Sequence, residues 1–204
     1  MNDIYTISMI ISISVFILTT HISPGPTNII LLSSVLNFGY KKSMPFMFGC
    51  IVSYPLLMIF TGLGIGFFLI QYPSLMQLLK VIGIIYLLWM AYKILKDNSS
   101  YDTNKSIQNK PFTFLQAFTY TLLNPKAWVV YTSAISIFVT SKEESFWQIS
   151  IIVFITLIAM IITVYTWLFG GIVLKRFIKN EKFIKKINIT MGILLLASIV
   201  PIII

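Results

Sequence analysis

The sequence ISPGPTN at residues 22–28 interrupts an apolar run that extends from residue 4 to residue 37. As one helix this run would measure about 51 Å at 1.5 Å per residue, whereas the apolar layer of a bilayer is about 30 Å thick. Proline removes an amide donor and clashes with the preceding turn, while glycine permits unusual torsions. We therefore predict that one helical piece ends at Pro24-Gly25-Pro26 and that a second begins near Thr27.

The composition indicates that the chain belongs in a membrane. Hydrophobic residues make up 57% of its 204 residues and charged residues only 10%, and the mean hydropathy is +0.91. Soluble globular proteins carry about 25% charged residues, because their surface faces water. The long continuous apolar runs favour helices over the short alternating strands of a membrane barrel. We predict an all-α membrane protein with about six transmembrane helices, near residues 4–37, 44–70, 75–95, 113–139, 146–174 and 186–203.

The basic residues predict the orientation of these helices. The chain has 15 Lys and Arg and a net charge of +9. All of them except Lys80, Lys126 and Lys142 flank alternate connections between the predicted helices, a distribution typical of cytoplasmic loops rather than of a nucleic-acid surface. We expect a multi-pass protein of the plasma membrane with cytoplasmic basic loops, both termini outside and no nucleic-acid partner.

The polar segment at residues 96–112 divides the chain into two halves. A shift of 99 positions (125 − 26) places Pro26 on Pro125, each within the first predicted helix of its half. Because each half has an odd number of predicted helices, the halves must be inverted relative to each other. We predict inverted three-helix repeats at residues 1–95 and 113–204, joined by a cytoplasmic linker. Matched interruptions in inverted repeats point to a midplane transport site, although proline also occurs in membrane helices generally.

The first interruption has the chemistry of an anion site. A helix that starts after these prolines presents unpaired amides and the positive end of its dipole, which suit a substrate carboxylate. Thr27 and Asn28 stand where their side chains could cap those amides or touch the substrate. We predict substrate binding at Pro24, Gly25, Pro26, Thr27 and Asn28. A kink that only improves packing is the alternative.

The second interruption, Asn124-Pro125-Lys126, repeats this pattern. A charge inside a membrane is costly, so Lys126 is a candidate to neutralise a substrate carboxylate or to donate to carbonyls that Pro125 leaves free. Alternatively, the helix starts near Pro125 and Lys126 extends to the interface. We predict substrate binding at Asn124, Pro125 and Lys126. Gln116 and Tyr120 share a helix face with Asn124 and are expected in the same cavity.

The only histidine, His21, lies directly before the first interruption. Histidine changes its charge near neutral pH, and no Asp or Glu falls within a predicted helix. We therefore name His21 as the proton-coupling candidate, with the substrate itself or a plain packing role for the histidine as alternatives. With one His and one Cys, Cys50, the chain lacks the residues for a metal cluster or a nucleophile–base pair, so we expect no metal, no cofactor and no enzyme activity.

Small hydroxyl residues recur at helical spacing along the first predicted helix, namely Ser8, Ser12, Thr19, Ser23 and Thr27. We expect this face to point into the helix bundle or into a wet cavity, because polar groups avoid lipid. Hydrogen bonds between helices would serve the hydroxyls equally well. The stripe therefore predicts an interior face more directly than a transport pathway.

Three segments together resemble the LysE/RhtB family of amino-acid exporters. The first begins with PGPTN at residues 24–28, the second is GIIYLLWMAYKIL at residues 83–95, and the third is FLQAFTYTLLNPK at residues 114–126. The resemblance extends over nearly the whole chain. Within the family, the region of Ser33-Ser34 and Phe38-Gly39 looks closest to the cysteine and O-acetylserine exporters.

The resemblance implies a secondary transporter that exports amino acids or their derivatives from a bacterial plasma (inner) membrane, driven by protons. The partners it implies are an amino acid, the lipid bilayer, protons and, in a homo-oligomer, further copies of the chain. Thr27 departs from the family, because many relatives carry Asn or Asp directly after P-G-P, and a basic substrate is correspondingly harder to favour. A membrane scaffold or a passive channel is the alternative to coupled transport.

Overall fold

The computed structural model describes residues 5–96, 110–177 and 181–200, and all regular structure within these ranges is helical. The all-α prediction is therefore confirmed for this part of the chain. The described helices, in chain order, are α1 (Ile7–Ile22), α2 (Pro26–Phe38), α3 (Tyr40–Gly62), α4 (Ile65–Gln71), α5 (Pro73–Lys96), α6 (Phe114–Leu122), α7 (Pro125–Phe138), α8 (Ser145–Arg176) and α9 (Glu181–Ala197). The predicted linker at residues 96–112 lies mostly outside the described residues.

The first predicted helix is broken where the sequence indicates. α1 begins after Thr6, whose hydroxyl accepts a hydrogen bond from the amide of Met9, and it ends at Ile22. α2 begins at Pro26 after an extended Gly25, and the two helices are bent by 52° relative to each other. Proline suits the first helical position because the amide that it lacks would have no partner there.

The prediction of one continuous helix over residues 44–70 is wrong. α3 ends at Gly62, and Gly64 then adopts a left-handed backbone with a φ of 97° before α4 begins at Ile65. Glycine tolerates this conformation because it has no Cβ to clash. Hydropathy does not register the turn, since Leu63 and Ile65 on either side of Gly64 are apolar.

The fourth predicted helix, residues 113–139, also consists of two helices. Thr113 and Gln116 start α6 with reciprocal side-chain and backbone hydrogen bonds, a capping box. α6 ends at Leu122 and α7 begins at Pro125. Asn124 has an extended backbone, which a residue before proline prefers. Both predicted interruptions are thus breaks between helices.

Among the described residues, three helices are long and apolar enough to cross a membrane by themselves, namely α3, α5 and α8. The bent pair α1–α2 qualifies as one broken span, which brings the number to four. α6, α7 and α9 are shorter, at 9, 14 and 17 residues, than the roughly 20 residues that a crossing helix needs. The count of six crossings and the inverted repeat stay predictions.

The first turn of α2 from Thr27 onward is placed in the interior because α2 lies at the centre of the bundle. Every side chain from Thr27 to Leu36 is buried, with α3, α8 and α9 packed around the helix. α5 and α8 turn large apolar side chains outward, among them Leu78, Ile85, Phe154 and Phe169. Such a surface is unfavourable in water by roughly 25 cal/mol per Å² and suits lipid tails.

The predicted interior face of α1 is wrong for most of its hydroxyl residues. Ser8, Ser12 and Thr19 are exposed and lie away from the cavity described below, whereas Ser23, although exposed, lines that cavity together with Thr27. The hydroxyls of Ser12 and Thr19 donate to carbonyls of the preceding turn at 2.9 and 2.7 Å. The buried face of α1 consists instead of Ile13, Ile17 and His21. A hydroxyl that bonds within its own helix needs no partner from the bundle, so its spacing does not report the interior face.

Candidate functional site

A cavity of about 70 Å³ lies where the two helix breaks meet, between α1–α2, α3, α6–α7 and α8. It can hold several water molecules, each of which needs about 10–15 Å³. Every residue of the predicted site lines this cavity except Pro24 and Pro125. Pro24 is exposed, and Pro125 is buried beside Gly83 of α5. The structure thus brings the two interruptions, distant in the sequence, around one space.

Both helices that begin at the cavity have uncapped amino ends. α2 and α7 each have proline in the first turn, no side-chain hydrogen bond to the starting amides and no acidic residue in that turn. The positive end of each helix dipole, equivalent to about half an elementary charge, is therefore not neutralised by a neighbouring side chain of the helix. The cavity consequently offers positive potential to an anionic group from two directions.

The carboxyl end of α1, in contrast, is hydrogen-bonded at every position. A helix leaves its last four carbonyls without partners inside the helix. Here each of those carbonyls has a donor: Thr19 O the amide of Ser23, Thr20 O the hydroxyl of Ser23, His21 O the side chain of Asn28, and Ile22 O the indole of Trp167. At the first break, therefore, the carbonyls of the negative helix end each have one hydrogen-bond donor, whereas the amides of the positive helix end have no side-chain partner.

Asn28 and Thr27 hold the first break together, and neither side chain caps α2, which was one of the two roles predicted for them. The side-chain amide of Asn28 donates to the carbonyl of His21 at 2.7 Å and to that of Ser23 at 2.9 Å. The hydroxyls of Thr27 and Tyr54 of α3 lie 2.7 Å apart and share a hydrogen bond. Both bonds of Asn28 use its nitrogen, so its Oδ1 can still accept a hydrogen bond.

The imidazole of His21 is buried between two tyrosines. Its Nδ1 lies 2.8 Å from the carbonyl oxygen of Ile17, which can only accept, so Nδ1 is the donor. Nε2 lies 2.7 Å from the hydroxyl of Tyr131 and, in the neutral ring, accepts from it. The ring of Tyr54 stands edge-on to the imidazole, with 5.2 Å between centroids. Tyr131 also lines the cavity, so the hydrogen bond with its hydroxyl links His21 to that space.

The second break is held by hydrogen bonds that do not involve Lys126. The side-chain amide of Asn124 donates to the hydroxyl of Tyr120 at 3.1 Å, and the indole of Trp128 donates to the carbonyl of Leu122 at 2.8 Å. Lys126 lines the cavity, but its side chain is largely exposed. It lies in the first turn of α7, where its charge adds to the positive end of the helix dipole.

Tyr54, Tyr131 and Thr163 are among the lining residues that the sequence does not indicate. The tyrosines stand in apolar runs, and Thr163 shares a seven-residue spacing with other small residues of its helix that is typical of packing. Tyr120 could be anticipated, because it lies on the face of α6 that leads to the second break, and it does line the cavity. Gln116, predicted on the same face, instead completes the capping box of α6.

The charge of the cavity is positive. Within the part of the chain that the structure describes, no acidic side chain lines it, and no three His, Cys, Asp or Glu residues come together as metal ligands. Cys50 is buried in α3 as a free thiol and is not part of the lining. The cavity is lined by Lys126, by two helix amino ends, by neutral hydroxyl, amide and imidazole groups, and by apolar side chains such as Val130 and Met160.

Apolar helices that surround a cavity between two broken helices are the architecture of a membrane transporter. Residues 18–199, most of the chain, match the family described as LysE type translocator. The protein therefore belongs to the LysE type translocators, which confirms the resemblance drawn from the three motifs. Members of this family are transporters, so the prediction that the chain is not an enzyme is also confirmed.

Similar proteins include cysteine/O-acetylserine efflux proteins of Escherichia coli O1:K1 / APEC, Escherichia coli (strain K12) and Shigella flexneri serotype 5b (strain 8401). Each is 28% identical over 182 residues, which cover 88% of this chain and 90% of the relative. No solved structure matches the chain. The family and the apolar helices together identify a bacterial membrane protein.

Proposed function

We propose that this protein exports a small neutral amino acid, which binds in the cavity between the two helix breaks. The observation that carries the proposal is that the uncapped amino ends of α2 and α7 open on the same cavity. The substrate carboxylate would accept hydrogen bonds from the amides of Thr27 and Asn28 and would meet the charge of Lys126. Pro24 and Pro125 would act indirectly, by ending one helix so that the next can begin at the substrate.

Cysteine and O-acetylserine are the first substrates to test. They appear in the names of the relatives, and the described lining of the cavity offers no carboxylate to balance a cationic side chain. A basic amino acid would place a second positive charge beside Lys126, and such a charge is costly away from water. A zwitterion with a short polar side chain suits both the charge and the small size of the cavity.

The transport mechanism that we infer is alternating access between two inverted repeats. In each half the helix break lies before a proline, and a long helix of one half packs against the broken helices of the other half. α8 of the second half packs against α1 and α2 of the first, while α3 of the first half packs against α6 of the second. Rocking of residues 1–95 against residues 113–204 would open the cavity to one side of the membrane at a time.

We infer that the basic loops face the cytoplasm and that both termini face outside. The distribution of Lys and Arg supports this orientation in the bacterial plasma membrane. The cavity would then load from the side of the basic loops and empty on the side of the termini. The same sidedness makes the segment at residues 96–112 a cytoplasmic linker.

Proton coupling through His21 is the driving mechanism that we propose. In the described geometry Nε2 accepts from Tyr131, as the neutral ring does. Uptake of a proton on Nε2 would turn this bond around, so that Tyr131 accepts from His21 and directs its own hydrogen elsewhere. Because both residues line the cavity, substrate or water in that space would sense the change.

Counterflow in proteoliposomes tests the function. Vesicles that contain the purified protein and unlabelled cysteine should transiently accumulate labelled cysteine from outside, and vesicles without protein should not. Lys126→Gln should raise the half-saturation concentration about tenfold, because a charged partner of the carboxylate is lost. Lys142→Gln is the matched control, since Lys142 is also exposed but lies away from the cavity.

Three outcomes would contradict the proposal in different ways. A Lys126→Gln protein with the half-saturation concentration of the wild type would remove Lys126 from the binding site. A passive channel would equilibrate the label without transient accumulation. A scaffold would move neither cysteine, O-acetylserine nor any other amino acid.

A further inference from the structure

The hydroxyl of Thr163 is the one fully buried side-chain oxygen or nitrogen, among the described residues, without a hydrogen-bond partner. Thr163 is 0% exposed, belongs to α8 and lines the cavity. Four other buried threonines in the described helices donate to the carbonyl four residues earlier, namely Thr61, Thr121, Thr132 and Thr156. Buried polar groups are rarely left unpaired, so this hydroxyl calls for a partner that the protein does not supply.

The position of Thr163 indicates what that partner is. One turn further along α8, the indole of Trp167 donates at 3.1 Å to the carbonyl of Ile22, the last residue of α1. Thr163 therefore stands near the last turn of α1, whose residues Thr20 and His21 also line the cavity. This end of α1 is the negative end of its dipole and favours a cation.

The carbonyls at this end of α1 are already engaged in hydrogen bonds. Each of the last four accepts a hydrogen bond from the protein, two of them from Ser23 and the others from Asn28 and Trp167. No acidic side chain in the described lining offers a counter-charge either. Each carbonyl oxygen keeps a second lone pair, so a cationic group in the cavity would share these carbonyls with their present donors, whereas the hydroxyl oxygen of Thr163 has no other partner.

We propose that Thr163 binds the ammonium group of the exported amino acid. This inference rests on the proposed function, and it assigns the two poles of the substrate to the two sides of the first break. The carboxylate lies at the amino end of α2, and the ammonium lies towards the carboxyl end of α1. An ammonium group has three donors, and the Oδ1 of Asn28 is a second acceptor in the same cavity.

Three variants distinguish the contribution of the Thr163 hydroxyl to substrate binding from that of the side-chain shape. Thr163→Val removes the hydroxyl, and Thr163→Ser retains it. Thr156→Val is the matched control, because Thr156 lies on the same helix and is also 0% exposed, but donates to Ile152 at 2.8 Å and does not line the cavity. In cysteine counterflow, Thr163→Val should raise the half-saturation concentration about tenfold, whereas Thr163→Ser and Thr156→Val should stay near the wild-type value.

Competition with 3-mercaptopropionate, which is cysteine without its ammonium group, tests which part of the substrate is bound. In the wild type, unlabelled cysteine should compete with labelled cysteine far better than this analogue does. The inhibition constant of 3-mercaptopropionate divided by that of cysteine should be about tenfold smaller in Thr163→Val than in the wild type, because the variant weakens only the binding of cysteine. The melting temperature of Thr163→Val should equal or exceed that of the wild type, since a buried unpaired hydroxyl is replaced by a methyl group.

The possible results are distinguishable. A Thr163→Val protein with wild-type half-saturation would overturn this inference and leave the proposed function standing. A raised half-saturation with an unchanged competition ratio would also overturn it, because the lost contact would then involve another part of the substrate. A wild-type protein without cysteine counterflow would overturn the proposed substrate, and the inference with it.

Discussion

Replacement of Asn28 by alanine should destabilise the first helix break. Asn28 is 3% exposed, and its side-chain amide donates to the carbonyls of His21 and Ser23 at 2.7 and 2.9 Å. In Asn28→Ala both carbonyls lose this donor, that of His21 in a buried position and that of Ser23 in a partly buried one. Because the two acceptors precede the break and Asn28 follows it, the loss loosens the connection between α1 and α2 rather than either helix alone.

The magnitude follows from the number of bonds and from their surroundings. A side-chain hydrogen bond in a membrane protein contributes about 0.6 kcal/mol on average, and a buried carbonyl left without a partner costs about 1–3 kcal/mol. Two carbonyls beside a cavity that water can enter should together cost about 2–3 kcal/mol. For a chain of this length, 1 kcal/mol shifts the melting temperature by about 2–4 °C. We therefore expect Asn28→Ala to melt about 4–12 °C below the wild type.

Thermal unfolding of the purified proteins in one detergent measures this difference. Ser14→Ala is the control on α1, because the half-exposed hydroxyl of Ser14 donates only to the carbonyl of Ile10 in its own helix. This variant should melt within about 2 °C of the wild type. Asn28→Asp, which keeps the shape but loses the donor, should fall as far as Asn28→Ala. Wild-type melting of both Asn28 variants would refute the role that we assign to these two hydrogen bonds.

Two further perturbations test the packing of the breaks and the proposed coupling. Gly49→Ala should cost about 1–3 kcal/mol in thermal unfolding, because the new Cβ would lie 2.6 Å from the carbonyl oxygen of Phe114 on α6. Gly170→Ala, with nothing within 4 Å of its new Cβ, should melt at or above the wild-type temperature, and equal melting of the two variants would contradict the close approach. His21→Gln should leave counterflow intact, because Gln can still form a hydrogen bond with Tyr131. It should remove the stimulation of export by an imposed pH gradient, because Gln carries no proton. Stimulation equal to that of the wild type would exclude His21 as the proton carrier.

The two helix breaks could be predicted because proline acts on its own neighbourhood. Pro26 and Pro125 each begin a helix, whereas Pro45 and Pro55 lie inside α3, so a proline favours a break but does not by itself decide one. The cluster of Pro24, Gly25 and Pro26, and the matching position of Pro125 in the second half, single out these two sites in the sequence. The absence of acidic residues from the predicted helices is likewise a property of composition. Seven of the nine residues predicted from these local facts for the site, all but Pro24 and Pro125, line one cavity.

Features that depend on what a side chain touches could not be predicted. Ser12 and Thr19 have the spacing of an interior face, yet their hydroxyls bond within α1 and point away from the bundle. Tyr54 and Tyr131 look like ordinary apolar-helix aromatics until Thr27 and His21 are placed beside them. Hydropathy and periodicity describe one helix at a time, so they do not contain these partners.

The sequence by itself determined that this protein is made of apolar helices, that two of them are broken, and that a positive charge and two helix starts accompany the breaks. Only the tertiary structure decided that both breaks meet in one cavity, that Asn28 closes the carboxyl end of α1, and that the hydroxyl of Thr163 is left without a partner. The physical reason is the distance along the chain over which each effect acts. Proline, glycine and hydrophobicity act within a turn or a span of the chain, whereas the satisfaction of a buried donor or acceptor depends on helices that are distant in the sequence.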